Sequence, residues 1–235
     1  MRIRALVITV ATGGVAVALT ACGAVDVGSP TTQDRDVTGV TAVRLATSGS
    51  LTVEQGTEPS LTVTAGSEVI DRLTSEVEDG TLVLDRDGAE WGPLGTVEYR
   101  LVLPDLSAVT VAGSGDVEVD VADGDAFAVT VAGSGDVDVE RVDADAVSVS
   151  IAGSGDVTLR GDTTSQNVII VGSGSYRGDE LTSRRAVVSI EGSGGADVDV
   201  TQVLDATVAG SGSVAHSGGA TVTSSITGSG GVRER

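Results

Sequence analysis

Seven Gly-Ser-Gly triplets begin at Gly113, Gly133, Gly153, Gly172, Gly192, Gly210 and Gly228, with spacings of 20, 20, 19, 20, 18 and 18 residues. A fixed period of this length means that one supersecondary unit recurs and that neighbouring units bury each other's apolar faces. The best-kept copies read Val-Thr-Val-Ala-Gly-Ser-Gly-Asp-Val-Glu-Val from Val109, the same from Val129 with Asp138 for the Glu, and Val-Ser-Ile-Ala-Gly-Ser-Gly-Asp-Val-Thr-Leu from Val149. Within a copy the apolar residues alternate: Val109 and Val111 flank Thr110, and Val117, Val119 and Val121 alternate with Glu118 and Asp120. Period-2 alternation is the pattern of a strand with one buried face. A second polar turn, Ala122 to Asp125 in one copy and Arg141 to Asp145 in the next, gives each period two strands and two turns, with no helix to cover them.

Two all-β architectures bury such a face. In a right-handed parallel β-helix, or β-solenoid, each coil of about 18–20 residues is one rung and identical turns stack about 4.8 Å apart. In an antiparallel meander the strands zigzag in one sheet that folds into a sandwich or barrel. The solenoid is favoured, because near-identical coils stack in register without limit whereas a barrel must fix strand number and shear. The triplets then line up as tight corners where glycine tolerates close backbone approach. Residues 37–106 are less regular. Leu51 to Val53, Ser60 to Ala65, Ser75 to Val77, Thr81 to Asp85 and Thr96 to Leu103 read as strands, Ser67 to Leu73 as a short helix capped by Ser67, and Asp79-Gly80 as a hairpin turn. A degenerate copy of the repeat starts at Val43. The segment predicts an N-terminal β cap for a solenoid over residues 107–232.

The chain starts with two arginines in its first four residues, then runs uncharged from Ala5 to Ala21. That is the basic start and apolar stretch of an export signal, slightly short for a membrane span and interrupted by Gly13 and Gly14. It closes in Leu19-Thr20-Ala21-Cys22, which resembles a lipobox and contains the only cysteine of the chain. The resemblance implies that a diacylglyceryl group is attached to the Cys22 thiol and that a lipoprotein signal peptidase cuts between Ala21 and Cys22. Two acyl chains make a lasting anchor where one would be marginal. The expected organisation is a signal over residues 1–21 and a lipidated cysteine with a flexible tether over 22–36, on the outer face of a bacterial cell membrane.

Charge narrows the partners. The 14 basic residues are all arginine and face 34 acids; without residues 1–21 the balance is 12 against 34, a formal −22. Such a surface displaces no counterions from a phosphate backbone, which argues against nucleic acid, and it is repelled by anionic lipid headgroups. Only four residues are aromatic, so the core is aliphatic and rich in β-branched side chains.

The serial V-x-V-A-G-S-G-D-V-x-V copies, the Val53-Glu-Gln-Gly56 strand, the Leu101 to Leu106 stretch Leu-Val-Leu-Pro-Asp-Leu and the lipobox together resemble the auto-transporter adhesin family with a head GIN domain, over about residues 38 to 232. The resemblance implies a β-helical fold on an exported or surface-anchored bacterial protein and brings no catalytic residues with it. The chain departs from the pattern where Ser175, Gly195, Ser213 and Gly231 replace the aspartate of the repeat.

Candidate chemistry is sparse. One histidine, His216, expected on a solvent-facing strand position, and one cysteine build neither a Ser-His-Asp triad nor a multi-histidine metal site. Carboxylates alone could cleave a glycoside, but the turns after Leu106 are too short to wall off a substrate, and the reading is of a protein that is not an enzyme. Asp116, Asp136 and Asp156 are expected to form a ladder, a possible Ca2+ site with Ser114, Ser134 and Ser154 beside it. Trp91 lies in an expected loop tip, where it could stack on a sugar or anchor a partner. The sequence thus points to a lipid-anchored, adhesin-like surface module that binds an envelope glycan or protein. An accessory scaffold lipoprotein and a polysaccharide-active β-helix enzyme are the alternatives, and no small-molecule substrate is implied.

Overall fold

The computed structural model describes residues 27–88 and 94–235. The signal segment with Ala21 and Cys22, and the Trp91 loop, lie outside the described residues.

The repeat folds as a parallel β-solenoid. Strands β9 (Asp116–Val131), β10 (Val137–Gly153), β11 (Val157–Gly172), β12 (Ser175–Gly192) and β13 (Gly195–Gly210) each run along most of one coil and pair in parallel with the next. Register follows the sequence period: Val117, Val137 and Val157 are successive partners, as are Val131, Ile151 and Ile170. The antiparallel meander is therefore not the arrangement of the repeats. Pairing also continues round the second turn, where Ala122 faces Val142 and Gly124 faces Ala144, so that turn is a bend within a strand rather than a loop.

The alternation builds the interior. Val131, Ile151, Ile170, Ile190 and Val208 are each fully buried in one file, and burying such a side chain contributes about 1.5–3 kcal/mol. The files are not uniform. In the file of Val117, Val137 and Val157 the next member is Tyr176, and Gly178 stands where a Cβ would fall 2.4 Å from the tyrosine hydroxyl. That hydroxyl donates to Gln166 Oε1 (2.9 Å), Gln166 Nε2 donates to Ser183 Oγ (2.8 Å), and Ser183 Oγ donates to the Asp199 carbonyl (3.1 Å). Gln166 takes the inward position held by Phe127 and Val147 in earlier coils. The chain of donors is what permits a glutamine there, since an unpaired buried amide would cost far more than it returns.

At the corners, chain approach decides the residue. A Cβ on Gly133 would lie 2.1 Å from the Gly113 carbonyl oxygen, and one on Gly135 2.0 Å from that of Gly115. The degenerate first copy joins the same column, because a Cβ on Gly115 would lie 2.2 Å from the Gly49 carbonyl oxygen.

The earlier segment does not stack in chain order. β2 (Ala42–Leu45) and β3 (Ser50–Gln55) form a full coil that pairs in parallel with β8 (Ala108–Val111) and β9 on one side. On their other side lie β6 (Thr81–Arg86) and β7 (Glu98–Leu103), also parallel. The coil at the end of the stack is thus made of later residues, and the chain returns past the β2–β3 coil through Pro104 to Ser107, whose amide donates to the Thr41 carbonyl (2.7 Å). The end is closed by antiparallel strands. β4 (Ser60–Gly66) pairs with β7, β1 (Pro30–Arg35) with β4, and β5 (Leu73–Glu78) with β6. Asp79 and Gly80, at φ 47 and 78, make the expected hairpin between β5 and β6.

Three local readings change. Within the stretch read as a tether, Pro30–Arg35 is a strand, held by its backbone pairing to β4 and by Arg35, which donates to the carbonyls of Leu73 (2.8 Å) and Ile70 (3.1 Å). The expected helix is only a 3-10 turn over Ile70–Arg72, with no side-chain cap, because the backbone on both sides is drawn into β4 and β5. His216 points inward, not outward: it is 8% exposed in β14 (Ser213–Ser217), paired with Val198 below and Glu234 above.

Gly135→Ala should lower stability by about 1–3 kcal/mol in urea unfolding, the usual cost of overpacking. Gly219→Ala, with open space around its Cβ, should cost no more than about the 1–2 kcal/mol of its positive φ. Burial pushes the Tyr176 phenol well above its usual value. The unfolded chain therefore ionises first, and the stability this group contributes is full below about pH 10 and is lost as pH rises beyond it. Tyr176→Phe should flatten that alkaline decline in thermal melts.

Candidate functional site

The aspartate ladder forms, and the structure shows what the carboxylates do. Asp116 Oδ1 accepts the Asp136 amide (3.0 Å), Asp136 Oδ1 accepts the Asp156 amide (2.8 Å), and Asp156 Oδ1 accepts the Ser175 amide (3.0 Å). Each acid thus satisfies the first amide of the strand in the next coil, just after the glycine corner, where the turn leaves that donor without a carbonyl. Asp156 also pairs with Arg177 (2.7 Å). The ladder stops where Ser175 and Gly195 replace the acid. Among the described residues no three His, Cys, Asp or Glu side chains converge into a group able to hold a metal ion.

The two walls of the solenoid carry different surfaces. On the first, Glu118, Asp138 and Glu140 face outward, and Arg160 reaches Asp138, Glu140 and Glu180 on three successive coils. The hydrogen bond to Asp138 is the main reason its guanidinium holds its proton above the ordinary arginine value. Outward positions of the second wall in the same coils are small and uncharged: Ala128, Thr130, Ser148, Ser150, Asn167 and Ile169.

Between the walls, at the bend opposite the glycine corners, the outer surface is concave. A groove of about 810 Å³ crosses the coils, lined toward the cap by Asp105, Asp123, Asp143, Asp145 and Asp162 and further along by Thr163, Thr182, Ser183 and Thr201. Its position follows from the bend: Asp123, Asp143 and Asp162 occupy one register position in consecutive coils. Asp143, Asp145 and Asp162 are exposed and hold no side-chain partner among the described residues, whereas Asp123 accepts from Gln55 (3.1 Å). A second hollow of about 630 Å³ adjoins it, bounded mainly by Ala126, Ala128, Ala146, Val187 and the backbone of the uncharged wall, with Arg185 at one end. Neither lining includes His216, so an imidazole does not reach the carboxylates there.

Sequence reasoning singled out the aspartates after the glycine corner and passed over those of the other turn. The signal was present in Asp123-Gly-Asp125, Asp143-Ala-Asp145 and Asp162, three acidic bends at the repeat period. What the period does not reveal is that the bend curves inward and gathers them along a trough.

These features define a capped parallel β-solenoid with sorted surfaces and an axial trough. Residues 40–220 match the family model "Putative auto-transporter adhesin, head GIN domain", and the chain belongs to this family. The family is adhesin-type, which is the mark of a surface or extracellular protein. No curated protein matches the chain in sequence. Among solved structures it is similar to a "putative adhesin" from Bacteroides fragilis NCTC 9343, with 24% identity over 88% of this chain and 97% of that one and a TM-score of 0.84. It is also similar to a "putative lipid binding protein" from Parabacteroides distasonis ATCC 8503 (24% identity, the same coverages, TM-score 0.75) and to a "putative adhesin" from Parabacteroides merdae ATCC 43184 (18%, again the same coverages, 0.69). At these identities the likeness establishes the fold.

Asp136→Ala should destabilise the protein by about 1–2 kcal/mol, since it strands the Asp156 amide, while Asp136→Asn should keep most of the stability by keeping an acceptor. Thermal melts of the two variants, with millimolar calcium and with chelator, separate this role from metal binding: a rise in Tm with calcium that Asp136→Asn abolishes would assign the column to the ion.

Proposed function

We propose that this protein is an exported, lipid-anchored envelope module that binds a surface glycan along the side of its solenoid and performs no turnover. The trough carries the proposal. It runs over five consecutive coils, about 19 Å at the strand spacing, long enough for several sugar rings in a row, and it presents carboxylates and hydroxyls that accept and donate to sugar hydroxyls. Asp143, Asp145 and Asp162 are free to do so. The uncharged hollow beside it offers aliphatic surface for ring faces. A catalytic pair of carboxylates needs a walled cleft in which one acid is held protonated, whereas these acids stand exposed at the surface.

Anchoring at Cys22 fits the same reading. Among the described residues no helix is long and apolar enough to cross a membrane, and attachment would fall to the diacylglyceryl group on Cys22 after cleavage behind Ala21. Five residues separate Cys22 from Val27, which packs beside Gly66 and Gly95 at the closed end. Extended, they reach about 17 Å, so the cap would sit close to the bilayer, with the trough's acidic half toward it.

Cys22→Ala should leave the protein unprocessed and move its mature form out of the lipid-anchored fraction; equal processing and equal detergent partitioning would end the anchor reading. On a glycan array, the chain from Gly23 onward should bind neutral or amine-bearing polysaccharides, and Asp143→Ala with Asp145→Ala should reduce that binding at least tenfold at unchanged stability. Release of reducing ends from cell-wall polymers would instead make the trough a catalytic cleft, and capture of one dominant protein by crosslinking in cells would make the protein a scaffold.

A further inference from the structure

The two ends of the solenoid are finished differently. At the cap, β1, β4 and β5 cover the terminal coil with antiparallel strands. At the other end the last coil consists of β15 (Thr221–Gly228), paired with β13, and β16 (Gly231–Glu234), paired with β14. Among the described residues no strand pairs with the outer edge of either. The core is correspondingly open. Ile226 continues the file of Ile151, Ile170, Ile190 and Val208, all fully buried, yet it is 43% exposed, and Val222 is only partly buried. Beneath the same coil His216 is buried with no hydrogen-bond partner for its Nδ1.

Such an edge is ordinarily blunted by charge, proline or a bulge. β15 has none of these: its sequence is Thr-Val-Thr-Ser-Ser-Ile-Thr-Gly. The charges near it do not guard it, because Arg235 folds back onto Asp179 (2.8 Å) and Asp197 (2.9 Å) in the coils below. With Arg233 and Arg235 against Glu234, this end is also free of the acid excess that would keep two copies apart.

We infer that the β15 end is the interface of a two-fold dimer, with β15 of one copy pairing antiparallel to β15 of a second. The two-fold axis is perpendicular to the solenoid, and it turns each wall onto the same wall of the mate with strand direction reversed. Inward residues must meet inward residues, which restricts the register to steps of two. The register that pairs apolar groups sets Ser224 opposite Ser224 of the second copy and Val222 opposite Ile226. It joins the two cores into one and satisfies the outward-facing backbone groups of both edges. Because the cap end is closed, the association stops at two copies and does not grow into a fibre.

The test uses the chain from Gly23 onward, which keeps every described residue and contains no cysteine. Light scattering coupled to size exclusion should give twice the monomer mass, and Ile226→Lys should return it to the monomer mass with an unchanged circular dichroism spectrum. Ser224→Cys should form an interchain disulfide under mild oxidation, at least tenfold faster than Ser148→Cys, placed on the uncharged wall as a control. A monomer at all concentrations in which Ser224→Cys crosslinks no faster than Ser148→Cys overturns the inference, as does a dimer that survives Ile226→Lys and crosslinks through Ser148→Cys. The second result would move the interface to the flat wall.

Discussion

Everything in this protein rests on how closely one coil can lie on the next at the glycine corners. Carbonyl oxygens of Gly113, Gly115, Gly133 and Gly135 occupy the space that a Cβ of the following coil would need. With glycine there, coils settle at the strand spacing and parallel hydrogen bonds form along nearly the full length of each strand. Valines and isoleucines then meet their own kind above and below, with no helix or second sheet required to cover them. The corner also creates a need: the first amide of each new strand has turned away from the ladder, and an aspartate of the previous coil accepts it. A residue that looked like a ligand for an ion is the companion of the glycine beside it.

The same stacking turns composition into surface. A side chain repeated once per period becomes a stripe along the axis, so small differences between positions in the repeat become large differences between faces. Acids at the positions of Glu118 and Asp138 make one wall charged, relieved locally by Arg160. Ala, Ser and Thr at the positions of Ala128 and Thr130 leave the other wall bare of charge. Acids at the bend collect in a trough with hydroxyls beyond them. Binding by such a protein is a property of stripes rather than of a few convergent residues, in keeping with an adhesin-type family. The lone interior polar chain, Tyr176 to Gln166 to Ser183, shows how far a coil can depart from the rule when every donor finds an acceptor.

Much of this was legible in the chain. The period of the glycine triplets and the alternation around Val117, Val137 and Val157 give the coil, its inward face and its parallel register, because both are local and repeat. The Asp79-Gly80 hairpin is equally local. The misreadings share a different origin. His216 has polar chemistry and occupies an inward position that alternation alone would assign to an apolar residue; Pro30–Arg35 has no apolar face and is a strand only because β4 offers it an edge. The acidic bends were visible as residues but not as a trough, since curvature belongs to the stack and not to any one coil.

The sequence by itself determined the unit: a coil of about twenty residues with a glycine corner, one buried face and an acid to cap the next amide. Only the tertiary structure decided the order of the units. It placed the β6–β7 coil outside the β2–β3 coil that precedes it in the chain, closed that end with antiparallel strands and left β15 with a bare edge at the other. The physical reason is that stacking energy depends on which surfaces meet, not on how far apart they are along the chain. Any coil with the right inward residues fits against any other, and the connecting segments settle which one it finds.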